Sequence, residues 1–202
     1  MGLTGGVSSG KTTALRFFAE LGARVISADA LVHELYERAE VRMAIHARFG
    51  DRAVGPHGAV DRAALAAIVT QDEREMRALE ALVHPRVLHD LNRFIAEAPP
   101  GSVVVCEVPL LVDVSAQSLF DLVVTIEAPV DVRRNRAAGR LPTGVFDRLD
   151  GRLVGEAARA AAADAVYQNV GSIEGLRTFC ATVFERARIL ASEELWDVLE
   201  GS

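Results

Sequence analysis

Lysine is almost missing from this chain. Of its 22 basic residues only Lys11 is lysine, and every other one is arginine. Cysteine is nearly as scarce, and Cys106 and Cys180 lie in apolar stretches without metal-ligand spacing. That excludes a disulfide framework and a thiolate metal site, and both residues read as reduced core thiols. No apolar run approaches the roughly 20 residues that a membrane span needs, and the first residues lack the basic, apolar and cleavage regions of a signal peptide. A cytoplasmic location with no membrane partner is therefore expected. A formal net charge of −6 argues against a general nucleic-acid surface. Repeats and low-complexity segments are absent as well. With 202 residues, 50% of them hydrophobic, the chain is large enough for a real core, and one medium domain with an insertion is expected.

The single lysine stands in Gly5-Gly6-Val7-Ser8-Ser9-Gly10-Lys11-Thr12. This stretch fits the G-x-x-x-x-G-K-[ST] pattern, in which a compact ammonium reaches the β- and γ-phosphates of a nucleotide. Arginine's flat fork does a different job. Gly5, Gly6, Ser8, Ser9 and Gly10 are small enough for successive amides to turn inward on phosphates. Thr13 opens a helical pattern over 13–21 that closes at Gly22, and its N-terminus adds a favourable dipole. Thr12 supplies the hydroxyl expected on Mg²⁺, and Lys11 neutralises charge on the transferred phosphoryl group. The rival reading is a plain glycine-rich turn before a helix. Only residues 1–4 precede the loop, which is short for a central parallel strand. Either the first strand is clipped or the true start lies upstream.

Apolar runs of strand length recur at 23–26, 103–106, 122–126 and 165–167, with helical patterns between most of them. Such alternation predicts an α/β fold with a parallel sheet covered by helices on both faces. The interval 28–98 breaks the alternation and reads as consecutive helices at 30–40, 41–49, 62–69 and 72–98, the last interrupted near Pro85. A helical insertion over 30–99 between the second and third strands follows, ended by Pro99-Pro100-Gly101. The core is then 1–29 and 100–202. Segment 172–200 reads as helix without a chemical signal.

After the strand near Ile126, Pro129 starts a helix that leads into Arg133, Arg134, Arg136, Arg140, Arg148 and Arg152. Two readings stand. Cations on a mobile cover would suit phosphate transfer, whereas Asp131, Asp147 and Asp150 among them would suit a solvated, self-paired surface. Asp29, just past the second strand, is the best candidate for a base accepting the proton of an attacking hydroxyl, or for holding Mg²⁺. It would equally well cap the next helix. Glu107, ending an apolar strand, reads either as a carboxylate near Mg²⁺ or as an ordinary loop acid.

Several pieces occur in an order that resembles the dephospho-CoA kinase family over nearly the whole chain. They are Gly2-Leu3-Thr4 running into the loop and Thr13; Val25-Ile26-Ser27-Ala28-Asp29; Phe49-Gly50 followed by Asp61-Arg62; Leu79-Glu80-Ala81-Leu82-Val83-His84-Pro85; Val108-Pro109-Leu110-Leu111-Val112-Asp113; Arg136 with Arg140; and Ala163-Asp164-Ala165-Val166, then Asn169-Val170-Gly171. The resemblance implies a three-layer P-loop fold and Mg²⁺·ATP-dependent phosphorylation of the 3′-hydroxyl of dephospho-CoA, the last step of coenzyme A synthesis. Asp29 would be the base, and Lys11 and Arg140 would act on the phosphates. Residues 5–13 with Arg136, Arg140 and Asn169 would bind ATP, Asn169 at the adenine end of the sheet. Asp29, Arg62, His84, Pro85 and Leu110 would bind the acceptor, with 30–99 as the CoA-binding region and 137–163 as the lid. Each has a plainer rival: His84 as a hydrogen bond within its helical turn, Leu110 as strand-end core. Thr12, with Glu107, would hold the metal. A monomer or small homo-oligomer is implied.

Three departures stand out. Ser27 occupies the place of a usual Asp, Asp113 that of a usual Glu, and Arg152 that of a common Gln in a lid a few residues shorter than usual. Another small P-loop kinase, or a paralogue that binds nucleotide or CoA without turnover, are the rival readings.

Overall fold

In the computed structural model, the described residues are 1–200, with side chains described for 1–55 and 57–192. Five parallel strands form one sheet in the order β2-β3-β1-β4-β5: β1 Gly2–Gly5, β2 Arg24–Ser27, β3 Val104–Glu107, β4 Val123–Glu127 and β5 Ala165–Gln168. β1, although only four residues long, is the central strand and pairs with both β3 and β4. Because all strands run the same way, their carboxyl ends share one edge of the sheet. That edge carries Gly5, Ser27, Glu107, Glu127 and Gln168. The expected sheet is present, with each later strand within about one residue of its sequence-derived limits.

The pleat separates two layers of packing. Leu3, Val103, Val105, Val124 and Ile126 face Phe17 and Phe18 of α1 (Lys11–Glu20) and Leu176, Cys180, Val183 and Phe184 of α9 (Ile173–Glu200). Val123 packs with Leu111 and Ala116 in a second cluster. Helix α1 ends where its pattern does. Gly22 adopts φ 101°, and the amides of Gly22 and Ala23 return to the carbonyls of Ala19 and Phe18, a left-handed stop that glycine accepts without strain. Both cysteines are free and buried, as the composition suggested, and burial pushes the thiols up to about 11 for Cys106 and about 12 for Cys180.

The chain divides into two compact units, Met1–Ser27 with everything from Glu97 onward, and Ala28–Ala96. The second is helical: α2 Ala28–Glu37, α3 Ala39–Phe49, α4 Arg62–Gln71 and α5 Glu73–Ala96. Each helix buries a stripe at i, i+4 spacing, namely Leu31 and Leu35; Val41, Ile45 and Phe49; Leu65 and Val69; Val83, Val87 and Leu91. Arg38 donates to Asp90, which is almost wholly buried, and Asp61 caps α4 by accepting from the Ala64 amide at 3.0 Å.

Two expectations fail in this unit. Helix α5 is not interrupted at Pro85 but runs through it. Proline removes one amide donor, the one that would bond the Ala81 carbonyl, while packing of Val83, Val87 and Leu91 on either side holds the helix together. Helix α2 begins at Ala28 rather than at 30, so Asp29 sits in its first turn instead of before it. A carboxylate there still suits the dipole.

The remaining helices belong to the first unit: α6 Val130–Ala137, α7 Val145–Asp150 and α8 Glu156–Ala161, between β4 and β5.

Candidate active site

The loop after β1 turns sharply, with Gly5 at φ 144°, Ser8 at φ 57° and Gly10 at φ 113°. A side chain at Gly5 would run into the Ile126 carbonyl, one at Gly10 into the Asn169 amide, and one at Gly6 would press on the Arg133 guanidinium at 2.9 Å. Glycine is therefore required by close approach as well as by torsion at Gly5 and Gly10, and by close approach alone at Gly6.

Four loop carbonyls are engaged by cationic or amide donors. Lys11 Nζ donates to Gly5 O at 3.0 Å and to Gly6 O at 2.8 Å. Arg133 Nη1 donates to Val7 O at 3.3 Å. Ser9 O accepts from Asn169 Nδ2 at 2.7 Å and from Arg136 Nη1 at 3.3 Å. In a trans peptide the N–H points away from the preceding C=O, and no peptide bond among the described residues is cis. Fixing these carbonyls turns the amides of residues 6, 7, 8 and 10 the other way, the arrangement that binds anions.

A cavity of about 320 Å³ opens beside the loop. Ser8, Ser9, Gly10, Lys11, Thr12 and Thr13 form one wall, Arg136 and Arg140 a second, and Asn169, Gly171, Ile173 and Leu176 the third. Lys11 is only 9% exposed while Thr12 stands open. The lining combines three cations and several hydroxyls with the apolar Ile173 and Leu176, which suits a ligand with a charged tail and a flat uncharged end.

The arginine cluster divides. Arg133 is buried, donates through Nε to Ala128 O at 2.9 Å, and pairs through both terminal nitrogens with Asp150, Nη2 to Oδ2 at 3.0 Å. Arg134 pairs with Asp147 at 2.7 Å, and both guanidiniums lie over Phe146. Only Arg136 and Arg140 of the cluster line the cavity. Arg140 is exposed and donates through Nε to the Arg136 carbonyl at 2.7 Å. The self-paired reading thus describes the first two arginines, and the cavity-facing reading the next two.

Other candidates are placed as follows. Glu107 is buried at the end of β3, in register with Leu3 and Ser27. Leu110 is half-buried just beyond it. Asp113 Oδ1 accepts from the Val154 amide at 2.8 Å, so this carboxylate ties down the segment before α8. Asn169 puts its side-chain amide on the phosphate loop rather than at the far end of the cavity. Within the helical unit Asp29 is exposed, and Arg62 is exposed and electrostatically close to Tyr36. Burial pushes the Tyr36 hydroxyl up, and Arg62 opposes this. His84 and Pro85 are exposed on α5, and His84 makes no hydrogen bond among the described residues.

The sequence pattern alone did not single out the ion pair of Arg159 and Glu127, which are 3% and 0% exposed. Arg159 Nε and Nη2 each donate to a carboxylate oxygen at 2.7 Å, Thr125 Oγ1 donates to Glu127 Oε1 at 2.6 Å, and Arg159 also donates to the Val154 carbonyl. The signal was present: Arg159 is a lone charge within an alanine run, and Glu127 ends an apolar strand. Gly171, Ile173 and Leu176 were also unforeseen as cavity lining, since nothing in an amphipathic helix marks which apolar residues meet a ligand.

The family pattern described as dephospho-CoA kinase matches residues 1–175. A dephospho-CoA kinase of Thermobifida fusca (strain YX) is 38% identical over 189 residues, spanning 92% of this chain and 94% of the relative. A crystal structure of TT1252 from Thermus thermophilus superimposes with a TM-score of 0.75 at 31% identity, covering 91% of this chain and 95% of that one. The dephospho-CoA kinase from Campylobacter jejuni shares the fold, with a TM-score of 0.61 at 22% identity over 92% and 96% of the two chains. Among the described residues no helix is long and apolar enough to cross a membrane.

Proposed function

The chain belongs to the dephospho-CoA kinase family, and we propose that it transfers the γ-phosphoryl group of ATP to the 3′-hydroxyl of the dephospho-CoA ribose, yielding CoA and ADP in the cytoplasm. The observation that carries this reading is the convergence of Lys11, Arg136 and Arg140 on one cavity, beside a glycine-rich loop whose carbonyls are held by side-chain donors. Transfer is in line, without a covalent enzyme intermediate, so acceleration comes from positioning and charge neutralisation. Lys11 follows the charge developing between the β- and γ-phosphates, and Arg140 closes over them from the segment 137–163. Asp29, two residues beyond β2, takes the proton of the attacking hydroxyl. The helical unit, with Arg62, His84, Pro85 and also Leu110, holds the remainder of dephospho-CoA.

The donors here suit a hard divalent cation. Thr12 offers an exposed hydroxyl at the start of α1, and Glu107 a carboxylate at the end of β3. Thr12 and Glu107 would hold Mg²⁺, which would supply neutralisation of the charge on the phosphoryl group.

A coupled assay of ADP release with Mg·ATP and dephospho-CoA, beside adenosine, AMP and a no-acceptor control, tests the reading. ADP formed only with dephospho-CoA, with CoA as product, is expected. Binding of both substrates without turnover would instead identify a non-catalytic paralogue.

A further inference from the structure

The phosphate loop is held by a side chain that follows β5 in the chain. Asn169 follows β5, is largely buried, and is anchored by its own amide donating to the Glu127 carbonyl at 2.7 Å. Its side-chain nitrogen donates to Ser9 O at 2.7 Å and lies where a Cβ on Gly10 would have to go. Its backbone carbonyl accepts from Arg136 Nη2 at 2.7 Å, and the same guanidinium reaches Ser9 O at 3.3 Å. Two side chains from two other segments therefore meet at one peptide of the loop.

That peptide matters because its other end is the Gly10 amide, which opens α1 beside Lys11. With Ser9 O held by these two donors, the Gly10 N–H is fixed in the opposite direction before any ligand arrives. A preset donor binds phosphate without the cost of ordering the loop at the moment of binding. The alternative role, selecting adenine, would require the amide group to turn to the base edge, whereas here one of its two N–H donors is committed to the loop, which fixes its orientation.

From this we infer that Asn169 is a positioning residue for the phosphate loop, acting with Arg136 through the Ser9 carbonyl, and that it contributes to phosphate affinity and not to the choice of base. The inference rests on the nucleotide-binding part of the proposed function and not on the identity of the acceptor.

Calorimetric titration of the full chain with ADP, GDP and inorganic tripolyphosphate tests it, using wild type, Asn169→Ala and Asn169→Asp. Removing the shorter hydrogen bond to a buried carbonyl should weaken all three ligands by about tenfold, leaving the ADP-to-GDP preference unchanged. Steady-state kinetics should show the KM for ATP rising by a similar factor with kcat nearly constant, because bound phosphate restores the loop at saturation. The ligand-free variant should still unfold cooperatively, with a melting temperature lower by no more than the roughly 2–6 °C that one hydrogen bond is worth, separating positioning from a general loss of structure. Should Asn169→Ala fold poorly, Asn169→Asp keeps the shape while replacing the donor by an oxygen, and because its charge alone repels phosphate, the result read from it is the unchanged ADP-to-GDP preference. Unchanged tripolyphosphate affinity together with a changed ADP-to-GDP preference overturns the inference. Wild-type protein that binds nucleotides normally but fails to phosphorylate dephospho-CoA would refute the kinase reading alone.

Discussion

Arg159→Met is expected to be among the most damaging single substitutions outside the phosphate cavity. The wild-type guanidinium makes two 2.7 Å bonds to Glu127, and both partners are at most 3% exposed. Burial alone would lower the Arg159 pKa, but the hydrogen bond and charge of Glu127, helped by Asp150 and Glu156, raise it, so the guanidinium stays charged. Methionine fills similar volume yet leaves the Glu127 carboxylate buried with only Thr125 as a donor. Removing one member of a buried pair costs about 3–5 kcal/mol. At about 2–4 °C per kcal/mol for a chain of this size, the melting temperature should fall by roughly 6–20 °C. Urea unfolding followed by circular dichroism measures the first quantity and a thermal scan the second. The double variant Arg159→Met/Glu127→Leu removes the stranded charge and should recover about 2 kcal/mol or more of the loss. The pair also fixes Val154, and through it the segment that Asp113 holds. The single variant should therefore raise the KM for ATP at temperatures where it remains folded. A cost below about 1 kcal/mol for the single variant, or a double variant no better than the sum of its parts, would refute the reasoning.

The other expectations concern chemistry and pH. Lys11→Met should lower kcat by on the order of 10²-fold or more; a loss under about fivefold in single-turnover assays would remove Lys11 from the transition state. Asp29→Asn should lower kcat comparably with ATP binding intact, and full activity would end its assignment as base. Arg140→Ala should chiefly weaken ATP use, read as KM, and an unchanged KM and kcat would return this residue to the solvated surface. Cys106 and Cys180, raised from 9.0 to about 11 and about 12 by burial, should resist thiol reagents at pH 8 until denaturant is added. Their folded thiols keep protons that the unfolded chain has lost, so stability should fall as pH rises from about 9 toward 11–12, as an alkaline titration of unfolding would show.

What the sequence makes legible is what local pattern dictates. The strands show as short apolar runs, and the helices of the second unit as i, i+4 stripes whose members are the ones found buried. Pro85 was misread because a proline's local cost is visible in sequence, whereas the packing of Val83, Val87 and Leu91 that overrides it is not. The same limit applies at the site. Loop and lysine are contiguous and legible. Asn169 is 160 residues away from the Ser9 carbonyl it holds, and Arg159 is 32 from Glu127, distances over which no periodicity speaks. The arginine cluster is the intermediate case, since composition places cations near the loop but cannot tell which ones turn inward to carboxylates.

That cluster also explains why the chain's only lysine is where it is. Arg133 occupies a site that wants a flat fork, with a carboxylate taking two donors, carbonyls on either side and an aromatic face beneath. Lys11 occupies the opposite kind of site. Its nitrogen sits between the Gly5 and Gly6 carbonyls at 3.0 and 2.8 Å, in a loop where even a methyl group at Gly6 would press on Arg133. A guanidinium has no room to lie flat there, and its fixed geometry would not let one charge both bond these carbonyls and advance onto a phosphate. An ammonium carries three rotatable donors on a flexible stem and can do both in turn. Lys11→Arg should therefore behave more like Lys11→Met than like wild type in kcat, although it preserves the charge. An arginine variant retaining most of its turnover would show that charge alone, and not the size of its carrier, decides this position.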